Sequence, residues 1–212
     1  VNETIYRICC LDAPEFARRL CHFDTAQVSN LQIIRNGPLA AIPRRTAPFD
    51  LEPGFYEPAG LWLYGNTRLL EVKLECLPET FGPDIHSESQ LNEIEREAER
   101  IVLSGTVLVC GIHNAAHQRT AIVPLRWGAP RIVVFSGGFE YHLGEKLDRE
   151  PFRIARLWRY EWDARTDLAI SLRSPEKKPT FAVHNPTVDR LIAKISARQI
   201  SGLLFENACS QR

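Results

Sequence analysis

The chain has 212 residues, with 26 Lys and Arg against 26 Asp and Glu, so its formal net charge is zero. That length suits one globular domain with a small appendage, and 44% hydrophobic with 25% charged residues is a folded composition rather than a disordered one. Neutrality excludes a protein that holds nucleic acid by bulk charge, but leaves a local basic groove open.

No apolar run approaches the roughly 20 residues of a membrane helix, so no membrane partner is expected. Val1 to Pro14 has neither a basic nor an apolar signal region, so no signal peptide is expected. The six cysteines show no C-x-x-C pair and read as reduced, mostly buried thiols of a cytoplasmic protein. Methionine is absent.

In chain order, Phe16, Ala17, Leu20 and Phe23 recur at helical spacing, and Asp24 with Thr25 begins a second short helix through Leu31. Residues 37 to 60 carry a dense set of Gly and Pro breakers, among them Gly37, Pro38, Pro43, Pro48, Pro53, Gly54 and Pro58, and read as a connector. Leu61 to Tyr64 and Leu69 to Cys76 look like strands. Ser87 to Leu103 is a helix, with Ser87 and Gln90 in a capping box and Gly105 at its end. Its apolar face is Leu91, Ile94, Ala98, Ile101 and Val102.

Thr106 to Cys110 is a short apolar run of the kind buried on both faces of a parallel sheet. Asn114 caps a helix from Ala115 to about Arg126, Gly128 ends it, and Arg131 to Phe135 is the next strand. Asp167 to Leu172 is a further strand and Thr187 to Ala197 a further helix. This alternation predicts an α/β Rossmann-like three-layer sandwich with a mostly parallel sheet, preceded by a small helical N-terminal segment. The expected division is residues 1–55, helical segment and connector, and residues 56–212, the Rossmann-like domain.

In an open parallel sheet, ligands bind beyond the C-terminal strand ends. Two loops fall there: Gly111 to His117, and Ser136, Gly137 and Gly138 after Phe135. Glycines admit close backbone approach and helix N-termini favour phosphate, so this edge is read as a phosphate site. His113 and His117 lie four apart, but no familiar third ligand completes a metal site. For His117 a capping or core-polar role is favoured, and no metal is assigned. No nucleophile elbow, Walker motif or dinucleotide fingerprint is present, so neither a catalytic residue nor a cofactor is assigned.

Charge is uneven. Residues 75 to 100 are strongly acidic, whereas Arg153, Arg156, Arg159 and Arg165 interleave with Phe152, Trp158, Tyr160 and Trp162. Arginine beside exposed aromatics suits single strands; the alternative is an amphipathic segment with the aromatics in the core.

The loop sequences resemble the DprA/Smf DNA-processing family, within a wider group of Rossmann-like folds that includes the LOG-type phosphoribohydrolases. The resemblance rests on blocks in the family's order: Pro58 to Asn66, Gly111-Ile112 followed by Ala116-His117, Gly128 to Phe139, Pro179 to Asn185 and Arg190 to Ser196. A G-S-R motif expected near Cys76 to Pro78 is missing. Cys110 and His113 replace the family's Arg and Asp, and Ala129-Pro130-Arg131 replaces its Gly-Lys-Thr.

The resemblance implies a non-catalytic binder of single-stranded DNA acting in DNA uptake or recombination, with a RecA-type recombinase and a second copy of the chain as partners. Gly111, His113, Arg119, Arg131, Ser136, Gly137 and Gly138 are the expected phosphate contacts. The alternatives are a nucleotide sensor and a nucleoside-monophosphate phosphoribohydrolase-like enzyme on the same fold.

Overall fold

The computed structural model describes residues 52–151, 162–179 and 184–200. The helices expected between residues 1 and 36 and most of the arginine–aromatic run lie outside these residues. Six strands form one sheet: β1 (Gly54–Tyr56), β2 (Leu61–Gly65), β3 (Leu74–Glu75), β4 (Val107–Cys110), β5 (Arg131–Phe135) and β6 (Leu168–Ser171). Among the described residues four α-helices accompany them: α1 (Glu88–Leu103), α2 (Ala115–Arg126), α3 (Phe139–Leu143) and α4 (Pro186–Ser196).

The sheet order is β1-β2-β6-β5-β4-β3. Strands β3 to β6 are parallel, and β1 and β2 add an antiparallel edge. Because β3 to β6 wind in one direction, right-handed crossovers place α1 and α2 on one face. There, Leu108 meets Ile101 and Val123, while Cys110, Val133 and Phe135 meet Ala121 and Phe139 of α3. Val109, Ile132, Val134 and Ile170 face the other way, onto Val188, Leu191, Ile192 and Ile195 of α4. Alternation along fully buried strands thus gives three layers.

Local signals account for most boundaries. Ser87 and Gln90 form the capping box of α1, and Gly105 beyond its end has φ 82°. The Asn114 side chain accepts from the His117 amide at the start of α2. Two segments differ from expectation. Asn66 accepts from the Arg68 amide and begins a 3₁₀ turn over Thr67–Glu71, which buries the adjacent Leu69 and Leu70, so only Leu74–Glu75 remains strand. Within the expected connector, Gly54–Tyr56 pairs with Leu61–Leu63 and belongs to the sheet.

Candidate functional site at the C-terminal sheet edge

Beyond β4, the chain folds His113 and His117 onto one carboxylate. Both Nε2 atoms lie 3.1 Å from Asp189 Oδ1 of α4, and the Gly82 amide donates to Asp189 Oδ2 at 3.1 Å. The rings stand 4.4 Å apart, centroid to centroid. Burial holds both imidazoles below their ordinary pKa, His113 at about 4. Burial pushes the Asp189 carboxyl up, but hydrogen bonds from His117 and Gly82 outweigh it and hold the group low. At neutral pH the cluster is therefore one carboxylate and two neutral rings.

Its spacing matches a three-ligand metal site, because the donor atoms all lie within 4.8 Å of one another. The tautomer of His117 decides against it. The Gly111 amide donates to His117 Nδ1 at 3.1 Å, so the ring proton sits on Nε2 and points at Asp189. That nitrogen has no lone pair left for a cation. His117 is thus a core-polar residue that ties α2 to α4. Asn114, which donates from its amide to the Thr80 carbonyl, ties in the preceding loop. The His113 side chain is 3% exposed and lies within this cluster, so it does not offer an open phosphate contact.

The Gly137–Gly138 turn after β5 is covered by the chain itself. The Gly138 amide donates to the Lys177 carbonyl at 2.7 Å, and the Glu140 amide to the Pro175 carbonyl at 3.0 Å. A methyl group on Gly137 would fall 2.7 Å from the Pro179 nitrogen, and one on Gly138 would overlap the Ser174 and Pro175 carbonyl oxygens. The close backbone approach expected of these glycines is real, but the partner is residues 174–179 rather than a phosphate. At the start of α2 the Ala115 amide likewise donates to Asp84 Oδ2 at 3.2 Å, a carboxylate where a phosphate was expected. Gly111 is buried beside His113, and Ser136 is half-buried at the end of β5.

Two cationic assignments require correction. Arg131 opens β5, so it lies at the opposite end of the strand from the loops. It is 0% exposed, hydrogen-bonded to the Ala121 carbonyl and to Glu150 at 3.0 Å, and ion-paired with Asp167 at 3.5 Å, with Trp162 against its guanidinium. A buried guanidinium must be paired, and this one is neutralised internally. Arg119 bridges α2 to α1 through Glu95, at 3.0 Å, and Glu88.

Exposed cations at this edge come instead from the loop after β6. Lys177 and Lys178 are exposed, while Glu176 is hydrogen-bonded by Ser174. Leu172 is 47% and Tyr141 of α3 44% exposed. The backbone bonds from Gly138 and Glu140 stitch that loop to the first turn of α3, the helix that carries Tyr141. The sequence held the signal: Glu176-Lys177-Lys178-Pro179 follows a third parallel strand, and the rule that selected the other two loops applies to it equally.

No family model matches the chain, and no curated protein matches it. Two solved structures are similar to it. DNA processing protein A from Helicobacter pylori, described with a single-stranded DNA binding mode, is 15% identical with a TM-score of 0.46, over 64% of this chain and 56% of that one. DNA processing protein A (DprA) from Streptococcus pneumoniae is 19% identical with a TM-score of 0.47, over 87% of this chain and 60% of that one. The matched region thus spans less than two thirds of either neighbour.

Proposed function

We propose that the protein binds single-stranded DNA without catalysis, in the DprA-like manner, along the rim formed by residues 172–179 and α3. The observation that carries this reading is the exposure of Lys177 and Lys178 next to a helix presenting Tyr141. Cations that track a backbone, beside an aromatic on which bases stack, are the two parts of a sequence-tolerant single-strand site. The order of DprA/Smf-type sequence blocks supports the same reading. A role in DNA uptake or recombination, transfer to a RecA-type recombinase and self-association belong to this proposal.

Fluorescence anisotropy with labelled oligo-dT tests it. Binding is expected at low salt and weakens as salt rises, with a log–log slope of about −0.7 per phosphate neutralised. The Lys177→Glu/Lys178→Glu double variant weakens binding and flattens that slope. Absence of binding at low salt overturns the proposal. Release of free base from a nucleoside monophosphate, or a melting-temperature rise with a mononucleotide but no oligonucleotide, supports an enzyme or a sensor instead.

A further inference from the structure

The loop after β6 is closed on itself by one side chain. Ser171, the last residue of β6, is buried, and its hydroxyl donates to the Gly137 carbonyl at 2.9 Å. The same oxygen accepts from the Arg173 amide at 2.9 Å as the chain leaves the strand. The Arg173 side chain then turns back along the loop, and its Nη1 donates to the Lys178 carbonyl at 3.1 Å. Inside this ring the Lys177 amide donates to the Ser174 carbonyl at 3.0 Å, closing a four-residue turn. The exposed lysines thus lie in a loop that starts from a buried serine and is closed by a half-buried arginine.

Arginine suits this closure for a chemical reason. A carbonyl only accepts, and a guanidinium holds its N–H donors in a fixed plane at the end of a long stem. Its charge strengthens the bond to a neutral acceptor. A loop that a ligand must order weakens binding, whereas a loop held beforehand does not. We propose that Arg173 is the positioning residue of the lysine loop. Through the Lys178 carbonyl it holds the Lys177–Lys178 turn in the geometry that meets a phosphate backbone. It acts through Lys178 and makes no phosphate contact of its own. What the loop binds rests on the single-strand reading; what holds the loop rests on the hydrogen bonds alone.

The test compares Arg173→Ala and Arg173→Lys in the full chain, first without ligand. The Gly138 amide, which donates to the Lys177 carbonyl, reports on the loop. In Arg173→Ala it is expected to exchange with solvent about tenfold faster, while the Ile132 amide and the melting temperature stay as in the wild type. Arg173→Lys, with one donor group on a stem of similar length, restores most of the Gly138 protection. With labelled oligo-dT, Arg173→Ala is expected to bind about fivefold more weakly at an unchanged salt slope. Unchanged Gly138 exchange in Arg173→Ala overturns the proposal. So does a salt slope smaller by about 0.7, the mark of a direct phosphate contact. A lower melting temperature with faster exchange at Ile132 also overturns it, because Arg173 then supports the whole domain. If the wild-type chain binds no oligo-dT, the single-strand reading fails by itself, and the Gly138 exchange rates alone decide the role of Arg173.

Discussion

The Gly138 amide points at the Lys177 carbonyl from 2.7 Å, so the turn best suited to a phosphate is closed by the loop that carries the exposed lysines. Glycine is required there by space, since its φ of −71° is open to any residue. Gly138→Ala drives a methyl into the Ser174 and Pro175 carbonyls. A destabilisation of about 1–3 kcal/mol is expected, as for overpacking elsewhere. Thermal melting should show it, together with weaker oligo-dT binding because residues 174–179 are displaced.

Arg131 is expected to matter for folding and not for DNA contact. Arg131→Leu leaves Glu150 and Asp167 facing each other without their cation. Breaking a buried pair in this way costs about 3–5 kcal/mol, which urea unfolding will measure. Oligo-dT affinity of the folded fraction should match the wild type. A selective loss of affinity would return Arg131 to the binding site.

Tyr141 is the aromatic partner of the lysines in the proposed rim. Tyr141→Ala is expected to lose about 1–3 kcal/mol of single-strand affinity, the range of one base stacked on an aromatic ring. Tyr141→Phe should keep it. An unchanged affinity in the alanine variant would remove stacking from the proposal.

Acid should loosen the link between α2 and α4. The folded-state pKa of His113 is about 4 against an ordinary 6.5, and that of His117 is also lowered. The unfolded chain therefore takes up protons first as pH falls. The resulting stability is present above about 6.5 and is lost progressively toward 4. The lowered Asp189 carboxyl acts in the same direction at the acid end, where its protonation removes the acceptor shared by the rings. Melting temperatures across this window should fall, and His113→Leu should make the fall shallower. A flat profile would contradict the buried neutral rings.

Elements whose signals are local could be read from the chain alone. The capping box of α1, the Asn114 cap of α2 and the fully buried runs of β4 and β5 all depend on neighbours within a few residues. Charge placement could not be read that way. Arg131 stands one residue beyond the expected lysine position and reads as a nearby positive charge, yet whether a cation points to solvent or into a sandwich depends on Glu150 and Asp167. The same holds for Arg119, which two glutamates of α1 claim across a helix pair. Asp189 carried no signal at all as the partner of His117, since 72 residues separate them. Helix α3, five residues after a Gly-Gly turn, is too short for any periodicity to show.

The Arg131 network also assigns the two ends of the sheet different mechanical roles. Its guanidinium joins the Ala121 carbonyl of α2, Glu150, and Asp167 at the foot of β6. At the other end, loop meets loop through backbone hydrogen bonds at Gly138 and Glu140 and through the side chains around Asp189. Local opening starts where the fewest buried groups must separate. The foot of the sheet is therefore expected to open after the loop rim. Amide exchange should run faster at Gly138 than at Ile132.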